Sequence, residues 1–282
     1  MFVFKHKNDL ISHLDKERSS GHSIALVPTM GALHEGHLSL IKRALSECDR
    51  AVVSIFVNPT QFDNPEDLEK YPQNLESDLA SLQDLSDEII VFTPSASEMY
   101  NTDVKAQAFD FDGLEHQMEG KFRKGHFDGV GTIVGKLLEL IEPDRAFFGE
   151  KDFQQLQIIK KLVEKQQLPV TIVGCPISRE ENGLARSSRN ERLSPEQRDQ
   201  AAFIYKSLRE AREKIKTENA DSVIDWIEKS FKSHPFLNLE YAEIADENTL
   251  KPVKELEKNK NYRLFIAVYA NDVRLIDNIA LN

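Results

Sequence analysis

The sequence predicts an α/β protein in two parts: a doubly wound parallel sheet over residues 1–177 and a smaller α+β domain over residues 178–282. Two observations support this division. In the first part, apolar runs rich in β-branched residues alternate with segments of helical period, and connections of this kind produce parallel strands with helices on both faces. In the second part, helical runs come before strand-like runs, as in α+β folds. The first part is therefore expected to be Rossmann-like.

The individual elements follow from periodicity and turn residues. In the first part, strands are expected at 24–28, 51–57, 88–92, 145–148 and 170–173, and helices at 38–45, 75–85, 130–141 and 153–166. In the second part, helices are expected at 195–216 and 221–233, and strands at 239–245, 262–268 and 274–279. A tight turn at 270–272 is expected to join the last two strands.

The composition excludes several classes of protein. The chain has 282 residues, 40% of them hydrophobic, but no apolar run approaches the roughly 20 residues that cross a bilayer, and no leader opens the chain. The formal net charge of −11 argues against nucleic-acid binding, so an anionic ligand would need a local basic pocket. Cys48 and Cys175 are too few for a disulfide framework. We therefore expect a cytoplasmic protein with reduced thiols.

The first candidate site is the run at 27–37, which reads Val-Pro-Thr-Met-Gly-Ala-Leu-His-Glu-Gly-His between a predicted strand and a predicted helix. Gly31 and Gly36 permit unusual backbone angles, and a helix start attracts anions. His34 and His37 are expected on one side of the first helical turn, where imidazole donors can hold phosphate oxygens. The alternative is a loop with two exposed histidines, while a metal site would lack a third ligand.

Two more polar segments follow predicted strands. Asn58 and Gln61 carry carboxamides, which suit a neutral, hydroxyl-bearing substrate, although a turn with a surface glutamine is a simpler explanation. After the strand at 145–148, Gly149 frees the backbone and Lys151 supplies a mobile charge for phosphate oxygens. Asp152 faces a ribose or only caps the next helix.

A third kind of segment lies at the predicted domain junction, where residues 184–190 read Leu-Ala-Arg-Ser-Ser-Arg-Asn. The hydroxyls of Ser187 and Ser188 and the guanidinium of Arg189 can close over a triphosphate and neutralise charge as diphosphate leaves. A solvated hinge loop is the alternative. Elsewhere, Asp78 is a candidate for a water-mediated magnesium contact, with a surface carboxylate as the simpler explanation.

These motifs together resemble one known family. The run at 34–37 resembles the His-x-Gly-His signature of the nucleotidyltransferase superfamily, in the form that pantothenate synthetases carry. Residues 149–155 match that family's Gly-Glu-Lys-Asp-x-Gln-Gln almost letter for letter, and residues 58–62 and 187–190 are similar to its Asn-Pro-x-Gln-Phe and Ser-Ser-Arg-Asn segments. Residues 123–130 are similar to its Arg-Pro-Gly-His-Phe-x-Gly-Val, with Lys124 in place of proline. Arg186 also departs from the family's usual apolar residue.

The resemblance implies an ATP-dependent ligase that joins pantoate to β-alanine through a pantoyl adenylate, with Mg²⁺ accompanying ATP and a homodimeric assembly. It implies catalytic roles for His34, His37, Lys151 and Arg189. It places pantoate at Asn58, Gln61 and Gln155, and β-alanine at Gln61. The implied ATP-binding residues are Met30, Gly31, His34, His37, Gly149, Lys151, Asp152, Ser178, Arg186, Ser187, Ser188 and Arg189.

Two other functions fit part of the pattern. A nucleotidylyltransferase would move AMP onto a phosphate-bearing acceptor, but such an acceptor calls for additional arginine and lysine where this chain has Asn58 and Gln61. A catalytically silent nucleotide-binding module would be expected to lack the paired histidines or Lys151. The ligase hypothesis depends on a small cationic pocket in an otherwise acidic protein, formed by the imidazoles, an ammonium and a guanidinium.

Overall fold

A computed structural model describes all 282 residues. The strands are β1 (Phe2–Phe4), β2 (Ile24–Thr29), β3 (Arg50–Ile55), β4 (Ile89–Phe92), β5 (Arg145–Gly149), β6 (Thr171–Cys175), β7 (Leu237–Asp246), β8 (Tyr262–Ala270) and β9 (Val273–Ala280). The α-helices are α1 (Lys7–Ser19), α2 (Glu35–Glu47), α3 (Pro65–Glu69), α4 (Leu75–Leu85), α5 (Ala96–Tyr100), α6 (Met118–Phe122), α7 (His126–Ile141), α8 (Phe153–Gln166), α9 (Pro195–Gln200), α10 (Ala202–Lys214) and α11 (Ala220–Lys232). Short 3₁₀ helices lie at Pro59–Gln61, Leu114–His116, Glu150–Asp152 and Ser188–Arg192.

The first six strands form one parallel sheet in the order β1-β4-β3-β2-β5-β6. The chain moves outward from β2 through β3 to β4, then returns to the other side of β2 to add β5 and β6. The order therefore reverses between β2 and β5. In an open α/β sheet, ligands bind at such a reversal, beyond the carboxyl ends of the strands. The carboxyl ends of β2 and β5 are Thr29 and Gly149.

Helices cover both faces of this sheet. On one face, α1, α7 and α8 pack against the strands through a core that includes Leu14, Leu137 and Ile159. On the other face, α2 and α4 pack through a core that includes Ile41 and Leu82. Because both faces are buried, the central strands are apolar through most of their length, which is why the sequence shows continuous runs there. The doubly wound prediction is confirmed.

The second part of the chain forms a separate antiparallel sheet, β7-β8-β9, with its own core. Helices α10 and α11 contribute Leu208 and Ile227 to that core. Asn271 adopts a left-handed conformation, with φ of 55°, in the predicted tight turn between β8 and β9. The α+β prediction is confirmed, and the boundary between residues 177 and 178 stays a prediction.

The structure also differs from the predicted elements in places. Neither β1 nor α1 was predicted, because β1 has only three residues and only two residues of α1, Leu10 and Leu14, are buried. The helix expected at 195–216 is two helices, α9 and α10, which are separated at Ala201; Ser194 and Gln197 form a capping box at the start of α9. The helix expected at 130 begins at His126.

None of the eleven helices has both the length and the apolar character that a membrane crossing requires.

Candidate active site

A cavity of about 230 Å³ lies at the point where the strand order reverses. Its lining comes from the loops after β2, β3 and β5, and the segment after β6 closes it from the second part of the chain. The cavity thereby brings together residues that are more than a hundred positions apart. The predicted site residues in its lining are Met30, His34, His37, Asn58, Gln61, Gly149, Lys151, Asp152, Gln155, Ser178, Arg186, Ser187, Ser188 and Arg189.

The loop between β2 and α2 is held in an unusual backbone conformation. Gly31 and Ala32 both have positive φ, 81° and 49°. The buried carboxylate of Asp78 accepts hydrogen bonds from the backbone N–H groups of Ala32 (3.0 Å) and Leu33 (2.7 Å). A Cβ at Gly31 would lie 3.0 Å from that carboxylate, so glycine is required by space as well as by φ. Asp78 on α4 therefore fixes the loop that carries the histidines.

This placement changes the expected role of Asp78. Both carboxylate oxygens accept backbone N–H groups, the residue is 3% exposed, and it does not line the cavity. The structure thus gives no support to the predicted magnesium contact at Asp78 and assigns the residue to the loop instead. Gly31, expected among the ATP-binding residues, is likewise absent from the cavity lining and serves the loop's conformation.

The two imidazoles lie together at the first turn of α2. The His34 ring accepts a hydrogen bond at Nδ1 from the Gly36 N–H (3.0 Å), and the His37 ring accepts at Nδ1 from the His34 N–H (3.4 Å). The rings are stacked, with centroids 4.1 Å apart. Since Nδ1 is an acceptor in both rings, the proton of each neutral ring lies on Nε2. Each ring can therefore donate one hydrogen bond from Nε2.

The two imidazoles are neutral, although they were expected from the sequence to contribute to a cationic pocket. Burial, with a further contribution from Lys151, lowers the pKa of His34 to about 4. Burial, together with His34 and Lys151, lowers the pKa of His37 to about 3. Both rings are thus neutral near pH 7 and add no positive charge to the pocket. They remain hydrogen-bond donors fixed in place before a ligand arrives.

The positive charge of the cavity comes from four other side chains. Lys151, Arg123, Arg186 and Arg189 line it, and Asp152 is the one carboxylate that does so. Four cations against one anion leave a net charge of about +3 in a chain whose formal net charge is −11. Such a cavity attracts an anionic ligand.

Lys151 and Asp152 lie on the 3₁₀ turn that follows β5. The side-chain amide of Asn278 on β9 donates hydrogen bonds to the carbonyls of Glu150 and Lys151, both at 2.9 Å. The second part of the chain therefore positions the backbone that carries the lysine. Lys151 Nζ lies 3.7 Å from Asp152 Oδ1. Asp152 accepts no capping hydrogen bond from α8, so of its two expected roles, helix capping is not observed.

The segment that carries the two serines is attached to both parts of the chain. The Ser188 hydroxyl donates to the carbonyl of Ala32 in the histidine loop (3.2 Å), and Ser187 caps the 3₁₀ helix by accepting the Arg189 N–H (3.3 Å). The Asn190 side chain donates to Glu180 (3.0 Å) and to the Ala185 carbonyl (3.1 Å). These contacts hold the serines against the cavity.

Two arginines in that segment have different environments. Arg189 donates to Asp67 Oδ2 of α3 at 2.8 Å and lies near the ring of Tyr71, so it bridges the two parts of the chain. Arg186 donates from Nε to the Arg179 carbonyl at 3.3 Å and makes no close ion pair. Arg186 lines the cavity although it departs from the family's apolar residue.

The cavity lining also includes carboxamide side chains. Gln61 accepts a hydrogen bond from the Asn58 amide (3.1 Å), and its own amide lies 2.9 Å from the sulfur of Met30. Asn58 is 1% exposed and also donates to the Gly129 carbonyl (3.1 Å), while Thr60 and Tyr100 donate to its oxygen. Asn58 thus has no free hydrogen-bonding atom, and its geometry is that of a support for Gln61.

Gln155 is the unoccupied carboxamide. It lines the cavity and makes no hydrogen bond with the rest of the chain, whereas its neighbour Gln154 is buried and donates to the carbonyls of Leu114 and Gln117. Part of the cavity wall is apolar. Its residues are Phe56, Val130, Ile133, Val134, Leu137 and Phe148.

Arg123 and His126 were not predicted to belong to the site, although both fall in the noted motif at 123–130. The structure places both in the cavity lining. The His126 ring donates from Nδ1 to the Gln61 carbonyl (2.8 Å) and accepts at Nε2 from Arg123 (3.2 Å). Burial lowers the pKa of His126 to about 3, and the neighbouring Arg123 lowers it further, so the ring is neutral. The signal in the sequence was the order Arg-x-Gly-His before a helix.

A second, outer cavity of about 450 Å³ adjoins the first. It lies between the two parts of the chain and shares Arg123, Lys151, Asp152, Ser187 and Arg189 with the inner cavity. The two cavities therefore adjoin, and we call the first the inner cavity and the second the vestibule.

The fold and these contacts define a class of protein. At the reversal point of a doubly wound sheet, fixed N–H donors and cations line a cavity together with two carboxamides and an apolar wall. Such a cavity suits a phosphate-bearing nucleotide beside a small polar organic ligand. The chain belongs to the pantoate-beta-alanine ligase family, whose model matches residues 2–280. The family resemblance found in the sequence is thereby confirmed.

Known proteins of this family resemble the chain along its full length. Pantothenate synthetase from Christiangramia forsetii is 61% identical over 100% of both chains, and that from Flavobacterium psychrophilum is 52% identical over 100% of both. A crystal structure of pantothenate synthetase from Thermus thermophilus superposes with a TM-score of 0.90 at 37% identity, covering 100% of this chain and 99% of that one. The enzyme from Francisella tularensis, solved with a β,γ-ATP ligand and β-alanine, gives 0.82 at 35% identity, covering 100% and 98%.

Proposed function

We propose that this chain catalyses the ATP-dependent condensation of (R)-pantoate with β-alanine to give pantothenate, AMP and diphosphate. The observation that carries the proposal is that phosphate donors and the carboxamides of Gln61 and Gln155 line one cavity. Family membership and the Francisella tularensis enzyme solved with nucleotide and β-alanine support it.

The first step joins pantoate to AMP. A carboxylate oxygen of pantoate attacks the α-phosphorus of ATP, the bond to the β-phosphate oxygen breaks, and diphosphate leaves. His34 and His37 donate from Nε2 to the phosphates. Lys151 and Arg189 neutralise charge that builds on the leaving diphosphate. Arg189 donates a hydrogen bond to Asp67 in the structure. For this role, its guanidinium must therefore exchange Asp67 for the triphosphate.

The second step forms the amide. The neutral β-alanine amine attacks the acyl carbon, the bond from carbon to the bridging oxygen breaks, AMP leaves with that oxygen, and the amine nitrogen loses one proton to solvent. Gln61 and Gln155 hold the pantoyl group by its hydroxyls, and Asn58 supports Gln61. The protein contributes mainly position and charge neutralisation, which is sufficient for large accelerations when reacting groups are held in line.

The apolar wall favours this acceptor over the one a nucleotidylyltransferase would use. Pantoate has two methyl groups on one carbon, and residues such as Val130 and Val134 can pack against them. A phosphate-bearing acceptor would place a charge on that wall at a considerable desolvation cost.

Magnesium is proposed to enter with ATP. The structure has no group of three or more His, Cys, Asp or Glu side chains placed to hold a metal ion. Mg²⁺ in such enzymes is bound largely by substrate phosphates and water, and Asp152 is the carboxylate close enough to the cavity to assist. The chemistry it would supply is neutralisation of phosphate charge.

Two further proposals rest on the family resemblance: a homodimer and a cytoplasmic location. Light scattering after size-exclusion chromatography tests the first, and fractionation of cells tests the second.

The function is tested by measuring AMP with ATP, pantoate and β-alanine, each omitted in turn. AMP should form only when all three are present. Equal AMP formation without pantoate, or transfer of AMP to a phosphate ester such as phosphopantetheine instead, would contradict the proposal.

A further inference from the structure

Arg123 has a guanidinium that the rest of the chain leaves almost without partners. Of its five N–H donors, one contacts the neutral ring of His126 at 3.2 Å. The nearest carboxylate oxygens, on Asp63 and Glu119, lie 3.9 Å away, beyond hydrogen-bond distance. The side chain is 19% exposed. A largely buried guanidinium without a close carboxylate is costly unless a ligand completes it.

The two nearby carboxylates do not remedy this. Glu119 is occupied by Arg274, which contacts both of its oxygens at 2.7 and 2.8 Å, and by the Tyr241 hydroxyl at 2.8 Å. Asp63 makes no hydrogen bond to Arg123. By contrast, Arg189 and Arg192 in the same vestibule each have a carboxylate within 2.8 Å, on Asp67 and Asp272. Arg123 is thus the arginine of the vestibule that is left for an anion.

The position of Arg123 indicates which anion. It lines both the inner cavity and the outer vestibule, and one imidazole separates it from the backbone of Gln61. His126 therefore fixes the distance between this guanidinium and the carboxamide assigned to the pantoyl group. An anion at Arg123 would therefore lie near the acyl group that this carboxamide holds.

Building on the proposed function, we infer that Arg123 binds the carboxylate of β-alanine and that His126 is a positioning residue for it. β-Alanine has an amine that must reach the acyl carbon and a carboxylate, two methylenes away, that takes no part in the reaction. A planar guanidinium suits that carboxylate because it can donate two parallel hydrogen bonds. The pantoate carboxylate is a worse match, since it must face the α-phosphate.

The test separates the two half-reactions. Pantoate-dependent exchange of diphosphate into ATP reports the first step and needs no β-alanine. In Arg123→Gln we expect the KM for β-alanine to rise about 100-fold, with a much smaller change in the exchange rate. Arg212→Gln, which changes an exposed arginine on α10, is the matched control and should alter neither.

A second substrate makes the assignment specific to the carboxylate. Propylamine has the same amine without the charge. Wild type should prefer β-alanine strongly in kcat/KM, and Arg123→Gln should reduce that preference about 100-fold by losing rate with β-alanine alone. If Arg123→Gln does not fold, Arg123→Lys keeps the charge without the planar fork, and its preference should fall about tenfold.

Three results would overturn the inference while leaving the proposed function standing. They are an unchanged β-alanine KM in the arginine variants, an equal loss in the exchange reaction, and an unchanged preference over propylamine. The second result would instead move Arg123 to pantoate or ATP. Failure of the wild-type exchange itself would contradict the proposed function, so the two failures are distinguishable.

Discussion

At the scale of the residue, the site relies on neutral imidazoles fixed by backbone N–H groups. His34 and His37 each use Nδ1 to accept from the turn that carries them, which leaves Nε2–H directed by the fold. A donor that is oriented before the substrate binds requires no reorganisation at the moment of reaction. The arrangement explains why two histidines at a helix start can serve a phosphate without being charged.

The first prediction concerns this donor. His37→Ala should reduce pantoate-dependent exchange of diphosphate about 10²- to 10³-fold, because one fixed donor to the phosphates is lost. His116→Ala, which removes an exposed imidazole, should leave the exchange at the wild-type rate. The measurement is the initial exchange rate for folded variants, and a wild-type rate in His37→Ala would remove His37 from the mechanism.

The second prediction uses the pKa of about 3 for His126. The unfolded chain takes up a proton near the ordinary pKa of 6.5, whereas the folded chain does so near 3, so the contribution to stability is complete above pH 6.5 and is lost as the pH falls. Between pH 7 and pH 5, wild type should lose about 2 kcal/mol more free energy of unfolding than His126→Gln. Urea unfolding at both pH values measures this; parallel losses would show that His126 is not buried and neutral.

The third prediction concerns Asp78. Asp78→Ala should lower the free energy of unfolding by about 1–3 kcal/mol, because two buried N–H groups of the histidine loop lose their acceptor. It should also raise the KM for ATP without changing the Mg²⁺ concentration that gives half-maximal activity. Asp84→Ala on the exposed side of α4 is the control. A selective shift in the Mg²⁺ requirement would restore Asp78 as a metal contact.

At the scale of the element, helix α7 sets the position of Gln61. Gly129 contacts the 3₁₀ turn at Pro59–Gln61 so closely that a Cβ there would lie 2.3 Å from the Thr60 carbonyl oxygen. Asn58 donates to the carbonyl of the same glycine. The helix and the turn are therefore in direct backbone contact. A larger side chain in place of Gly129 would displace the turn and with it the carboxamide of Gln61.

The fourth prediction follows from that contact. Gly129→Ala should destabilise the protein by about 1–3 kcal/mol and weaken pantoate binding, because the turn must shift. Gly135→Ala, further along α7, has room for its Cβ, with the nearest atom at 3.7 Å, and should stabilise the helix by up to about 1 kcal/mol. Denaturant unfolding and calorimetry with pantoate measure both. Similar behaviour of the two variants would contradict the role given to Gly129.

The sequence predicts elements best where their signal is local. The strands around the reversal point are buried on both faces, so their apolar runs are continuous, and the motifs at their carboxyl ends could be assigned to one site from residue order alone. The roles of Asp78 and Asn278 could not, because each depends on a partner more than twenty residues away along the chain. The neutrality of His37 could not be predicted either, because it depends on burial of the ring, which hydrophobic periodicity does not measure.

At the scale of the whole molecule, the two parts of the chain are joined by ion pairs beside the site. Glu119 on α6 accepts hydrogen bonds from Nη1 and Nη2 of Arg274 on β9. Burial alone would raise the pKa of Glu119, but Arg274 lowers it to about 2. Asp67 and Arg189 make a second bridge. The vestibule is thus formed by both parts and depends on their relative placement.

The fifth prediction concerns this bridge. Arg274→Gln should lower the free energy of unfolding by about 3 kcal/mol, because Glu119 remains buried without its partner. The double variant with Glu119→Gln should lose less than the sum of the two single losses. Lys216→Gln, which breaks an exposed pair with Glu213, should change stability by less than about 0.5 kcal/mol. Additive losses in urea unfolding would show that the pair is not coupled.

The central claim is that one cavity activates a carboxylate by transferring AMP to it. The most direct test uses pantoate labelled with ¹⁸O in its carboxylate, full turnover with ATP and β-alanine, and mass spectrometry of the AMP. Attack by the carboxylate on the α-phosphorus predicts one ¹⁸O atom in each AMP formed. AMP without the label would contradict the account, because the acyl group would then have been activated by another route.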